Sequence, residues 1–126
     1  MKKAVTSLSK EFAEEEKSVK KVLIKLDKIL GLSDKYIEVY LVGDAFMKKN
    51  VLSFAAPQNF PHPETQKFQP LGEIYLNPQY IKENGEDLTY MLVHGLLHLL
   101  GYDHQGKSDR IKMTTEEQKI MQQLTQ

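Results

Sequence analysis

A single α+β domain is what the sequence predicts: a small mixed sheet packed with about four to five helices, and a metal site at the end of a central buried helix. Three observations lead there. The chain has 126 residues, the size of one domain with one core. Helical apolar periodicity alternates with short β-branched and aromatic runs, and no repeat, low-complexity tract or linker separates them. Three of the four histidines lie between His94 and His104, on and just beyond an almost wholly apolar stretch. The predicted domain therefore spans residues 1–126.

Ser9 to Leu30 reads as an amphipathic helix, because Phe12, Val19, Val22, Leu23, Leu26, Ile29 and Leu30 recur at helical intervals. Glu14 to Glu16 near its start and Lys20, Lys21, Lys25 and Lys28 further on suit the helix dipole. Gly31 supplies a C-terminal stop, and the lysines read as a solvated face. Tyr36 to Val42 is β-branched and aromatic, hence a strand. A short helix is expected over Asp44 to Lys49, then a second strand at Val51-Leu52-Ser53-Phe54. Ala55 to Pro70 holds Pro57, Pro61, Pro63 and Pro70 and reads as a long loop, of a length that is often functional. Gly72 to Leu76 is the third strand. Asn77-Pro78 opens a helix, since proline at the first helical position loses no needed hydrogen bond. Asn84-Gly85 marks a turn. Asp87 then caps a helix running to Leu100. The last helix is expected over Thr115 to Leu124, with Thr114 capping and Glu117 reaching back in a capping box.

Bulk composition excludes several classes. Hydrophobic residues make up 40% of the chain, too many for a disordered protein. Lysine plus arginine and aspartate plus glutamate number 17 each, so any contact with nucleic acid must come from local patches. Cysteine is absent, which removes disulfides and thiolate metal sites. Met1-Lys2-Lys3 is basic, but acidic residues follow instead of an apolar signal. The apolar run Met91 to Leu100 is too short to span a membrane. A cytoplasmic protein with no membrane partner is the expectation.

The informative segment is His94-Gly95-Leu96-Leu97-His98-Leu99-Leu100-Gly101-Tyr102-Asp103-His104. His94 and His98 are one helical turn apart, so both rings leave the same face. That spacing lets two imidazole nitrogens reach one ion at ~2.0–2.1 Å. In an apolar setting two polar rings need partners, and a shared metal satisfies both. Gly101 lets the chain leave the helix and swing Tyr102-Asp103-His104 back, which makes His104 the third ligand. Three protein ligands leave a position for water, as in catalytic rather than structural zinc sites. One zinc ion per chain is expected, and nickel, copper or iron would also accept these nitrogens. The spacing matches the metzincin protease pattern too, but Gly95 stands where that pattern has its glutamate base. Gly95 costs the helix ~1 kcal/mol relative to alanine, which points to a packing or an access reason; a bare backbone beside the first ligand would leave room for a bulky substrate.

The segment from His94 to His104 resembles the YbeY family of single-strand-specific endoribonucleases, which carries H-G-x-x-H-L-x-G-Y-D-H. Val51-Leu52-Ser53-Phe54 looks like that family's V-L-S-F strand, and Gly72-Glu73-Ile74-Tyr75 is similar to its G-D-I strand. Met113 and Glu116 sit where the family has a methionine and a glutamate. The resemblance runs from about Tyr36 onward, while the N-terminal third matches only as a leading helix. It implies a zinc-dependent endoribonuclease acting in ribosomal RNA processing, with single-stranded or ribosomal RNA as partner and small ribosomal subunit proteins as further partners. The chain departs from the pattern before Val51, where the family has a longer stretch with an arginine. Lys48 and Lys49 are the candidate substitutes for RNA binding. Asp103 is the candidate to orient a histidine or assist proton transfer, and it reads equally well as a turn former. Tyr102 reads as a packing residue. Phe60, His62, Lys67 and Phe68 in the long loop are candidates to line the RNA path. Two rivals stand beside this function: a metal-stabilised ribosome-assembly factor that does not cut, and a metal-dependent hydrolase of another substrate, which Gly95 disfavours.

Overall fold

The computed structural model describes residues 1–57 and 68–126. Among the described residues, four strands and four α-helices form one α+β unit. The strands are β1 (Lys2–Ser7), β2 (Lys35–Leu41), β3 (Val51–Ala55) and β4 (Gln69–Leu76), joined in the order β1-β2-β4-β3. β1, β2 and β4 run parallel, and β3 is the antiparallel edge. β1 lies at the basic N-terminus, where the sequence reading expects no strand. Its pairing with β2 puts Val5 beside Val39 and against the core, while the Lys2 side of the strand stays exposed.

The first helix, α1 (Ala13–Leu30), buries Val19, Leu23 and Leu26, and Gly31 closes it in the left-handed region at φ 64°. A 3₁₀ turn at Lys10–Phe12, capped by Ser9, leads into it. Strand alternation then sets the two faces of the sheet. Ile37, Val39, Leu41, Ile74 and Leu76 are fully buried on the inner face, where α1 packs on β1. Tyr40 and Tyr75 point the other way and stack at 4.9 Å between ring centres. The Tyr40 hydroxyl donates to Glu38, and that bond, with burial, pushes its pKa up to about 12.

The short helix expected over Asp44 to Lys49 does not form. Phe46 and Met47 both donate to the Gly43 carbonyl, which makes one turn. Buried Asn77 then ends it, since its amide donates to Asp44 Oδ1 and to the Met47 carbonyl, each at 2.8 Å. The same Asn77 caps α2 (Pro78–Glu83) by accepting from the Tyr80 N–H at 3.0 Å. The long loop is also shorter than Ala55 to Pro70 at both ends, because Ala55 belongs to β3 and Gln69 and Pro70 to β4.

Asp87 caps α3 (Leu88–Leu99) as expected. This helix is the centre of the fold, with Leu92, Val93, Leu96 and Leu97 buried against β3, β4 and the helices. The last helix, α4 (Lys107–Leu124), begins well before Thr115. The capping box is thereby overturned. Thr114 and Glu117 lie inside α4, and Glu117 is buried on the stripe Met113, Glu117, Ile120, Leu124.

Gly95 marks the closest approach of α3 to the sheet. A Cβ there would lie 2.9 Å from Ser53 Oγ, 3.0 Å from Ile74 Cγ2 and 3.1 Å from Val51 Cγ2. The glycine therefore does not hold space for a substrate, because strand side chains already fill it. Two of the three neighbours are β-branched and stiff. The third, Ser53, would lose its 3.0 Å hydrogen bond to the Gly95 carbonyl if it turned away. Gly95→Ala gains ~1 kcal/mol of helix propensity against ~1–3 kcal/mol of overpacking. The urea midpoint of Gly95→Ala should fall below wild type, and an unchanged or raised midpoint would contradict this packing.

Candidate metal centre

The C-terminal end of α3 carries the three histidines of the predicted site. His94 and His98 leave its exposed side one turn apart, with ring centres 4.7 Å apart. Gly101, at φ 102°, breaks the helix. Its N–H donates to the His98 carbonyl and the Tyr102 N–H to the Leu97 carbonyl, which locks the reversal. His104 is thereby returned to ring-centre distances of 4.9 Å from His98 and 5.9 Å from His94. One nitrogen from each ring lies within 4.8 Å of the others.

The hydrogen bonds around the rings test whether this group suits a metal. His94 Nδ1 is 2.5 Å from Glu117 Oε2, and His98 Nδ1 is 3.0 Å from the Tyr102 carbonyl. Both partners are acceptors, so each ring is a donor at Nδ1. In neutral rings each Nε2 then carries a lone pair. Those two Nε2 atoms face each other at 3.2 Å. Two lone pairs at that distance repel, and a shared cation relieves them. His98 is also biased toward the neutral form. Burial lowers its pKa most, the neighbouring His94 lowers it further, and the Tyr102 carbonyl opposes both. The three residues can therefore hold a metal ion, and their donor set suits one that accepts imidazole.

Glu117 is the residue that sequence reasoning missed. It is 3% exposed and accepts from the Tyr90 hydroxyl at 2.7 Å as well as from His94. Burial and that bond push the Tyr90 pKa up to about 12, so Tyr90 remains a donor. A carboxylate on the outer nitrogen of a ligating histidine fixes the tautomer and raises its basicity. One signal could have found it. Met113, Ile120 and Leu124 set a helical apolar stripe, and position 117 falls on it.

The rings open into a cleft of about 880 Å³, between β3 on one side and α4 on the other. Lys49 lines this cleft, whereas Lys48 is exposed and does not. Asp103 lines it too, while its Oδ1 accepts the Gln105 N–H at 2.9 Å. Tyr102 packs against the core through its half-buried ring. Met113 lies buried at the cleft, and Glu116 is not among its described lining residues. Phe60, His62 and Lys67 lie outside the described residues, and Phe68 is partly buried away from the cleft. Position 95 has no room for the glutamate of a metzincin protease, given the three contacts around its absent Cβ.

Comparisons with known proteins agree with one another. A family model described as Endoribonuclease YbeY matches residues 1–125. A relative from Thermodesulfovibrio yellowstonii named Endoribonuclease YbeY is 34% identical over 145 residues, covering 98% of this chain and 84% of its own length. Its namesake in Pelotomaculum thermopropionicum is 34% identical over 118 residues, covering 87% and 74%. Another in Bartonella bacilliformis reaches 40% over 84 residues, covering 60% and 51%. A solution structure of a Thermotoga maritima protein matches at TM-score 0.65 and 22% identity, covering 97% of this chain and 88% of that one. At that identity it speaks for the fold alone.

The hydrogen bond between Glu117 and His94 yields a test. Glu117→Gln keeps the shape and removes the charge. Its zinc affinity, read by competition with a chelating dye, should fall ~10–100-fold, with helix content unchanged by circular dichroism. Wild-type affinity in this variant would rule out a role for the carboxylate at the site.

Proposed function

Since the chain belongs to the endoribonuclease YbeY family, we propose that it is a zinc-dependent enzyme that cuts single-stranded RNA during ribosomal RNA maturation. Membership makes it a nuclease acting on RNA phosphodiester bonds. The observation that carries the metal dependence is the convergence of His94, His98 and His104 at the mouth of the cleft. No described helix is long and apolar enough to cross a membrane, and a cytoplasmic location suits a ribosomal RNA substrate.

His94, His98 and His104 would hold the ion. When bound there, a zinc-type ion supplies Lewis acidity toward a phosphate oxygen and a water of pKa near ~7. The protein's own groups do the positioning. Glu117 and the Tyr102 carbonyl hold the His94 and His98 rings with Nε2 toward the cleft. Glu117 is engaged on both oxygens, which supports Asp103, the other described carboxylate lining the cleft, as the group that would accept a proton. Lys49 offers a cation to the RNA backbone on the β3 side. This chemistry needs no carboxylate at position 95, in contrast to peptide hydrolysis by the metzincin route.

Purified protein should therefore cleave a single-stranded oligoribonucleotide, lose that activity to a chelator and regain it with zinc. His98→Ala should contain less than a tenth of the wild-type metal and show no cleavage. Cleavage that persists in His98→Ala would point to a contaminant. An inactive but fully metallated wild type would favour an assembly factor that does not cut.

A further inference from the structure

The two walls of the cleft differ. β3 is an edge strand, and its pairing sets what it offers. The Asn77 N–H bonds the Asn50 carbonyl and the Ala56 N–H bonds the Leu71 carbonyl. In an antiparallel ladder these pairs alternate. The main-chain groups of Ser53 and Ala55 therefore point away from β4, on the edge that borders the cleft. α4 forms the opposite wall, and near its start stands Arg110.

Arg110 is the sole arginine of the chain. It is exposed, and it lines the same cleft as His94, His98 and His104. Among the described residues it forms no salt bridge. Of the carboxylates among the lining residues, Glu117 is taken by His94 and Tyr90, and Asp103, which accepts the Gln105 N–H on one oxygen, forms no salt bridge to Arg110. Arg110 and Lys49 are the cations among the lining residues, and they come from opposite walls. A guanidinium is charged at every working pH and presents a planar fork that matches two phosphate oxygens. In a chain of zero formal net charge, attraction of a polyanion depends on such local placement.

We propose that Arg110 grips a backbone phosphate of the RNA strand lying across the histidines, from the α4 side of the cleft. The inference rests on the single-stranded RNA reading above and adds a substrate-binding residue to it. It makes Arg110 a contact to the backbone, so the effect of losing it should not depend on base sequence.

The test uses zinc-loaded protein and fluorescently labelled single-stranded oligoribonucleotides of two sequences. Wild type, Arg110→Gln, Arg110→Lys and Lys112→Gln are compared by anisotropy across a salt series and by cleavage kinetics. Lys112 lies exposed on the same helix outside the cleft, so its variant controls for loss of one general charge. Arg110→Gln should weaken binding ~10-fold for both sequences and reduce the salt slope by about one. Its KM should rise at nearly constant kcat, Arg110→Lys should fall between, and metal content should match wild type in all. Binding, salt slope and KM in Arg110→Gln equal to those of Lys112→Gln would overturn the proposal. Absence of RNA binding by the wild type would instead overturn the reading beneath it, and the proposal with it.

Discussion

The arrangement depends on one buried charge. Glu117 is 3% exposed, and both of its oxygens are used, one by Tyr90 and one by His94. A buried carboxylate stripped of partners costs several kcal/mol. Both partners sit on α3, so the contact fixes α4 against α3 in register as well as in proximity. Sliding α4 by one turn, about 5.4 Å, would strand the charge in an apolar seam. The same bond orients the His94 ring. Fold stability and site geometry therefore share a single interaction.

The opposite side of α3 is fixed by a different means. Gly95 lets the helix backbone meet β3 and β4 so closely that Ser53 can donate to its carbonyl. Contact with the sheet on one side and the Glu117 anchor on the other leave α3 no freedom to rotate. Its two histidines must then emerge together at the cleft. The antiparallel setting of β3 completes the site, because it places an edge strand, whose Ser53 and Ala55 main-chain groups point away from β4, beside the rings. A parallel central strand would have been covered on both sides.

Much of this was legible in the sequence, and the parts that were not have identifiable causes. The α1 and α3 helices, the Asp87 and Asn77 caps, and the turn at Gly101 follow from local periodicity and turn chemistry. Those signals also brought His94, His98 and His104 together. β1 was hidden because Lys2 and Lys3 look like a charged tail, whereas an edge strand can leave such side chains in solvent. Glu117 was misread because Thr114 and Glu117 have the spacing of a capping box, a local pattern that a tertiary contact to His94 overrode. The turn after Gly43 was taken for a helix because the ending imposed by Asn77 comes from a residue far along the chain. The sequence leaves packing and access open as reasons for Gly95, and the contacts of Val51, Ser53 and Ile74 that decide for packing are not local either. What escaped the sequence was in each case a contact between distant segments.

The reversal at Gly101 has one more consequence. All three histidines come from a single continuous stretch, His94 to His104, so an ion held by them would cross-link only a short loop. Closing a short loop restrains the unfolded chain less than closing a long one. Among the described residues, the hydrophobic core takes no residue of that loop after Leu100 except the packed Tyr102. An ion held there would still favour the folded chain, since whatever binds only the folded state draws the folding equilibrium toward it.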